Sequence, residues 1–446
     1  MVSLFNKVQS KSKFAVSIFS LCSLMFLYST NVSAALQIET WQTKNGAKVL
    51  YVNAPQLPML DIEISFDAGS ARDADVFGLA SMTSTLVGTE TSKLSEEQVS
   101  EVFNKIGAQI GSSVSRDKAS LSLRTLTRPQ IMQQALANFA DLVSDSQFSK
   151  DIFQRETQRL KVALQQKQSK PQSLLNDSLW KTLYGNHPYA HPTSGTIESI
   201  EKINLAKIKQ FYKQFYVAKN AVIAIVGQVS KQQAQKIAEQ LTAKLPQGTK
   251  PPGLVKPELS KTLQNIQTPF ESTQTYYALT QLGIERGHKD YAALFVGNHL
   301  LGGSGFGSLL MEEVREKRGL VYSVYSYFAP LKVTGPFIIG LSTKNASAIE
   351  ADKVVKETLN GFLKDFSAER LDAIKDNLIG GFPLRMDSNG KILGYLTLIG
   401  FYELPLDYLE WFPKQIENVT KKDVLEAWKS HVELDKMATI MIGQPQ

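Results

Sequence analysis

Phe215-Tyr-Val-Ala-Lys-Asn-Ala-Val-Ile-Ala-Ile-Val-Gly-Gln228 and His431-Val-Glu-Leu-Asp-Lys-Met-Ala-Thr-Ile-Met-Ile-Gly-Gln444 lie a constant 216 residues apart. Each reads as a short loop running into an apolar strand that stops at Gly-Gln. A strand repeated at that spacing points to a duplicated unit of about 200 residues. Between the copies, Pro246-Gln-Gly-Thr-Lys-Pro-Pro-Gly-Leu-Val-Lys-Pro257 holds four Pro and two Gly in 12 residues. Such a stretch propagates neither a helix nor a central strand. The expected organisation is therefore two homologous domains, 35–245 and 265–446, joined by a linker over 246–264.

Working outward, Gln37–Thr43 and Val49–Asn53 flank an Asn45-Gly46 pair, a hairpin signal. Leu60–Asp67 alternates as a strand, and a helical pattern runs from Phe77 to Leu86. Ser95 and Gln98 form a capping box ahead of Val99, Val102, Phe103 and Ile106, and Gly107 ends that helix. Strand-like Ala119–Leu126 follows, then helical segments from Pro129 to Lys167 and from Pro171 to Leu183. Strands and helices mix without strict alternation. This predicts an α+β fold in which each half is a mainly antiparallel sheet with helices packed on one face.

The composition, 43% hydrophobic and 20% charged over 446 residues, is that of a packed globular protein. Lys+Arg exceed Asp+Glu by 49 to 42, a net +7, and Lys7, Lys11 and Lys13 supply three of those charges before residue 34. The remaining excess is too small to indicate a nucleic-acid partner. Those lysines precede the apolar run Phe14–Tyr28, and Val32-Ser33-Ala34 supplies the small residues of a signal-peptidase site. Residues 1–34 are thus expected to be a secretory signal cleaved after Ala34. The apolar run is short of the roughly 20 residues that cross a bilayer, so no stable membrane span is expected afterwards and a periplasmic location is. Cys22 is the single cysteine and lies inside this segment. The rest of the chain can form neither a disulfide nor a thiolate metal site.

The order Phe-Gly-Leu-Ala (77–80), Phe-Asn-Lys-Ile-Gly-Ala (103–108), Leu-Tyr-Gly-Asn-His-Pro-Tyr (183–189), Gly-Thr-Ile-Glu-Ser-Ile (195–200) and Phe-Tyr-Lys-Gln-Phe-Tyr-Val-Ala-Lys-Asn-Ala (211–221) resembles the pitrilysin/insulinase family of inverzincin metallopeptidases. Within that family it is closest in kind to the short two-domain bacterial and processing-peptidase branch. The resemblance implies a clamshell of two halves. It also implies an H-x-x-E-H helix after Gly-Leu-Ala, whose two His bind zinc while the Glu activates water. A third ligand, a Glu, comes from a later helix.

This chain has Ser81-Met-Thr-Ser-Thr85 at the metal motif, so Ser81 and Thr85 stand in the histidine positions and Ser84 in that of the base. Neutral hydroxyls neither hold Zn²⁺ well nor take a proton from water near neutral pH. Arg155-Glu156 matches the family's Arg-Glu, and Ala163 stands seven positions on, where the ligand Glu is expected. By the resemblance the chain itself binds no cofactor.

No other motif replaces the lost site. His187 and His191 have i, i+4 spacing, but Pro188 and Pro192 follow them and disfavour a helix, so a turn with solvated imidazoles is expected. Gly302-Gly-Ser-Gly-Phe-Gly307 lacks a following Lys-Ser/Thr and reads as a tight loop opening a helix, not a phosphate loop.

The second half keeps another piece. Leu309-Leu-Met-Glu-Glu-Val-Arg-Glu-Lys-Arg-Gly-Leu-Val-Tyr-Ser-Val324 resembles the family segment in which an Arg and a Tyr face the zinc centre from the opposite half. Here these are Arg315 and Tyr322. A guanidinium and a phenol can hold a peptide and stabilise the oxyanion that develops on its carbonyl. Judged without the resemblance, Arg315 is one charge on a solvated helix face. Phe382, Phe401, Tyr402 and Tyr408 are expected in the core, with Pro383 and Pro405 setting turns.

The expected function is that of a half-site partner subunit. It would lend Arg315 and Tyr322 to a zinc-bearing homologous chain in a heterodimer acting on peptides, with no activity alone. The alternative is a non-catalytic peptide-binding or scaffold protein on the same fold.

Overall fold

The computed structural model describes residues 36–258, 264–364 and 366–446. The expected secretory signal, 1–34, lies outside the described residues, as do positions 259–263 of the expected linker.

The first sheet is built from β1 (Glu39–Gln42), β2 (Lys48–Asn53), β3 (Met59–Phe66), β4 (Gln109–Val114), β5 (Ala119–Leu126) and β6 (Ala221–Gly227), in the order β1-β2-β6-β3-β5-β4. The second uses β7 (Gln264–Pro269), β8 (Gln274–Leu282), β9 (Val321–Phe328), β10 (Pro336–Lys344) and β11 (Ala438–Gly443), in the order β7-β11-β8-β10-β9. One pair in each is parallel, β2 with β6 and β7 with β11, and every other pair is antiparallel. Apart from β1 the two orders superpose strand for strand, so the duplicated α+β architecture expected from the sequence is present.

The repeated Gly-Gln has a steric origin. Gly227 and Gly443 close β6 and β11 at φ +154° and +150°. A Cβ on Gly227 would stand 2.3 Å from the Met59 carbonyl oxygen, and one on Gly443 2.8 Å from Thr275 Cα. Each central strand therefore ends where its antiparallel neighbour passes too close for any side chain.

The helical run expected from Pro129 to Lys167 is two helices, Pro129–Ser144 and Lys150–Gln168. The chain between them is claimed by another segment. Thr91 bridges Ser146, the Gln147 N–H donates to the Glu90 carbonyl at 3.0 Å, and the Gly88 N–H donates to Ser146 Oγ at 2.9 Å. Backbone groups committed to a tertiary ladder cannot also continue a helix.

Besides its own helices, each sheet is covered by one helix lent from the other half. The Pro171–Tyr184 helix packs on β8 and β11 of the second sheet. Its Leu175, Leu179 and Leu183 share a buried cluster with Ala278, Leu282, Ile440 and Ile442. Reciprocally, the Asn389–Phe401 helix packs on β2, β3 and β6 of the first sheet. It comes close enough that a Cβ on Gly400 would lie 2.6 Å from both Leu50 and Val222. Each buried leucine contributes about 1.5–3 kcal/mol, so neither half covers its own sheet without the other.

The seam also carries buried charge. Asp117, 1% exposed, accepts from the hydroxyls of Tyr189 and Tyr402 and from the Lys332 N–H, the last two at 2.9 and 3.0 Å. Burial nevertheless pushes the Asp117 carboxyl above its ordinary range. Beside it, Asp67 takes both Arg72 Nε and Nη2 at 2.8 Å and pairs with Lys332. Burial works upward on Asp67, but Arg72 and Lys332 hold it below the usual carboxylate range. The Arg116 guanidinium lies 3.4 Å over the Trp180 ring.

His187 and His191 do lie in a turn, but His191 is buried and His187 only partly exposed. His191 is 7% exposed and stacks on Phe77 at 4.2 Å, and burial pushes its pKa down. His187 Nε2 meets the Val255 carbonyl at 2.8 Å. A ring with an apolar face packs like any other aromatic once its nitrogens find partners.

Candidate functional site: a hydroxyl-lined helix and an Arg/Tyr cluster

The helix carrying Ser81, Ser84 and Thr85 spans Leu79–Leu86. Its start is fixed by residues remote in sequence. Asp73 accepts the N–H groups of Gly78 and Ala80, each at 2.7 Å, and so caps the first turn. Ser199 Oγ donates to the Phe77 carbonyl at 2.7 Å, and Thr196 and Ser199 form their own capping box. Gly78, at φ +93°, sits where a Cβ would meet the Ser194 carbonyl oxygen at 2.8 Å. The Phe-Gly-Leu-Ala and Gly-Thr-Ile-Glu-Ser-Ile stretches are thus two sides of one helix-starting device. Burial pushes Asp73 up to about 7, against the lowering effect of its two backbone N–H bonds.

The hydroxyls themselves turn inward to the backbone. Thr83 Oγ1 donates to the Leu79 carbonyl at 2.8 Å and Thr85 Oγ1 to the Ser81 carbonyl at 3.0 Å. Ser84 is buried and points at the Ser113 carbonyl, 3.5 Å away on β4, while Ser81 is half-buried and Thr85 exposed. The Lys150–Gln168 helix packs against this one and carries Ala163, which is exposed. The helices that bear the family's metal positions are therefore together, but the four side chains there offer no imidazole and no carboxylate. Zn²⁺ does not fit this donor set. The Arg155-Glu156 pair is structural: Arg155 holds Glu96 with two bonds of 2.8 and 2.6 Å and Glu156 with one of 2.9 Å, tying two helices.

Arg315 and Tyr322 are brought together at the opposite end of the sequence. Arg315 sits in a π-helical turn, Met311–Glu316, and Tyr322 on the edge strand β9. The guanidinium lies 5.3 Å from the Tyr322 ring and 4.6 Å from that of Phe306. Two nearby carboxylates, Glu312 and Glu313, are used elsewhere. Glu313 takes Lys317 and Arg318 at 2.7 and 2.8 Å, and Glu312 takes Lys317 and Arg370, both at 2.9 Å. Arg315 has no ion pair among the described residues, and Tyr322 is 85% exposed and Phe306 69%. Arg315 is thus a cation on this helix face without an ion pair, and its guanidinium lies against two aromatic rings. Phe306 was not singled out by sequence, because a Gly-rich loop gives no sign of which side chain folds back on it. Tyr325 and Tyr327 extend the exposed aromatic row along β9, with rings stacked 6.0 Å apart.

A paired-sheet α+β fold whose metal-motif helix carries hydroxyls instead of ligands defines a peptidase scaffold without its metal chemistry. The family description "Insulinase (Peptidase family M16)" matches residues 48–197, and "Peptidase M16 inactive domain" matches residues 202–378. A crystal structure described as the peptidase M16 inactive domain from Pseudomonas fluorescens is 38% identical, covers 92% of this chain and 98% of its own, and has a TM-score of 0.88. The chain belongs to the insulinase (M16) peptidase family, and it is a non-catalytic homologue on the peptidase fold. The Helicobacter pylori "Non-peptidase homolog YmxG" is 26% identical over 91% of this chain and 94% of that protein. The Bacillus subtilis "Uncharacterized zinc protease YmxG" is 26% identical over 79% and 86%. No helix among the described residues is long and apolar enough to cross a membrane.

Proposed function

We propose that this chain is the zinc-free subunit of a two-chain peptidase, exported to the periplasm and paired with a homologue that carries H-x-x-E-H. The observation that carries the reading is selective: every metal position is lost, while Arg315 remains a cation without a carboxylate, next to the exposed phenol of Tyr322. An unpaired guanidinium and a phenol at a sheet edge suit a peptide that lies along β9 as an added strand, with the pair reaching its carbonyl oxygens. In this role they bind and orient the peptide and stabilise developing negative charge. The metal and the attacking water belong to the partner.

The test is to mix the chain with its zinc-bearing homologue and measure hydrolysis of extended peptides. Arg315→Ala and Tyr322→Phe in this chain should each lower the rate at least tenfold. A partner that is fully active alone, and indifferent to Arg315→Ala, would end the proposal.

A second reading, a peptide-binding or scaffold protein without turnover, is favoured by the likeness to the Helicobacter pylori non-peptidase homologue. It expects peptide binding and partner capture with no hydrolysis in any combination.

A further inference from the structure

We infer that His288, Asp290 and His431 form a binding site for a divalent transition-metal ion, elsewhere in the chain than the degenerate Ser81–Thr85 helix. His288 and Asp290 precede the Tyr291–Asn298 helix, and His431 is the last residue of the Lys421–His431 helix. One donor atom from each lies within 4.8 Å of the other two. His431 Nε2 stands 2.9 Å, and His288 Nδ1 3.9 Å, from the same Asp290 Oδ2. Ligands about 2.0–2.2 Å from a metal are roughly 2.8–3.6 Å apart along an octahedral or tetrahedral edge. The His431–Asp290 edge already falls in that range and the His288–Asp290 edge exceeds it by a few tenths of an ångström, so small side-chain rotations close the set.

The backbone that carries the donors is held in place. Gln281 on β8 donates Nε2 to the His431 carbonyl at 2.5 Å and accepts the Glu433 N–H at 2.9 Å, which fixes the chain around His431. The Tyr291 N–H donates to the His288 carbonyl at 3.0 Å. His288 Nδ1 now takes the Asp290 N–H at 3.2 Å, a long bond that a cation would replace. All three side chains are 20–30% exposed, so the ion has a path in and water can fill the remaining positions.

The field beside the site favours a cation. Asp290 opens onto a polar cleft of about 480 Å³ whose walls include Asp423 and Glu426, with Lys289 the one opposing charge among its lining residues. His431 ends a helix, where the macrodipole is negative. Two imidazoles and one carboxylate suit Zn²⁺, Co²⁺ or Ni²⁺ and not Ca²⁺ or Mg²⁺.

The experiment is a titration of the chelator-stripped full chain with Zn²⁺ alone, followed by calorimetry and by the imidazole proton resonances of its five histidines. One equivalent should bind, with only the His288 and His431 signals shifting in its first addition. Asp290→Asn and His431→Gln, which keep the shapes and a hydrogen bond, should each weaken binding at least tenfold, and His187→Gln should leave it unchanged. Absence of a saturable equivalent, unchanged affinity in both variants, or first shifts at other histidines would each overturn the assignment. The resonance measurement on the unaltered chain decides the matter even if a variant fails to fold.

Discussion

Tyr402, from the second half of the chain, donates its hydroxyl at 2.9 Å to the Asp117 carboxylate of the first half. This carboxylate is almost fully buried and has three donors drawn from both halves, so each donor removed leaves lone pairs facing protein instead of water. Tyr402→Phe should therefore cost about 1–3 kcal/mol of unfolding free energy. Asp117→Ala should cost more, because it strands two phenols and an N–H at once. Urea denaturation of both variants measures this, and a Tyr402→Phe protein as stable as the parent would contradict the account.

The lent helices lead to a second expectation. Without Asn389–Phe401 the face of the first sheet over β2, β3 and β6 loses its lent cover, and without Pro171–Tyr184 the face of the second sheet over β8 and β11 loses its own. Segments 37–258 and 264–446 expressed separately should each fail to give a cooperative unfolding transition, while their co-expression restores one. A single-site probe of the same packing is Gly400→Val, whose added Cβ would sit 2.6 Å from Leu50 and Val222 side chains. Overpacking of this kind costs about 1–3 kcal/mol, readable as a lower thermal midpoint.

Acid should weaken the fold through His299. The ring lies against Phe295 at 5.2 Å, its Nδ1 has no hydrogen-bond partner among the described residues, and burial together with the Arg385 charge pushes its pKa down to about 4. The unfolded value is about 6.5. The folded state thus disfavours the proton, and this contribution is fully present above pH 6.5 and lost as pH falls through 4. The loss is at most about 3 kcal/mol. His299→Gln should flatten that part of a pH–stability profile. A variant whose profile still falls as steeply between pH 6.5 and 4 as the parent's would show that His299 is not responsible.

These features differ in how far the sequence announces them. The Gly-Gln endings are legible because a strand that stops against its neighbour's backbone admits only glycine, and the duplication puts that constraint on the page twice. The helix-starting device at Gly78 is legible as two motifs, Phe77–Ala80 and Gly195–Ile200, but not as one object, since nothing local says that Ser199 reaches the Phe77 carbonyl. The lent helices are silent for a related reason. The apolar face of Pro171–Tyr184 records that it is covered, not by which sheet. His288, Asp290 and His431 form no motif because 140 residues separate the last two, and of the five histidines only His187 and His191 have a spacing that suggests a metal pair to a local reading. Arg315 is legible in the sequence as a candidate site residue. Its lack of a partner depends on Lys317, Arg318 and Arg370 taking Glu312 and Glu313 first, which is a fact of geometry.

That same geometry makes Arg315 dispensable for folding. Its contacts are two aromatic faces, Phe306 and Tyr322, both largely exposed, and an exposed cation–π contact is worth about 0.5–1 kcal/mol. Arg315→Ala should therefore shift the urea midpoint by no more than that energy implies, and Tyr322→Phe should leave stability unchanged. A large loss of stability in Arg315→Ala would mean that the guanidinium is a packing element and that its freedom from carboxylates has no functional meaning. A stable variant that no longer supports peptide cleavage by the zinc-bearing homologue is what a group kept for substrate requires. The two measurements on one purified protein separate these outcomes, since a scaffold residue moves the first and a substrate-facing residue only the second.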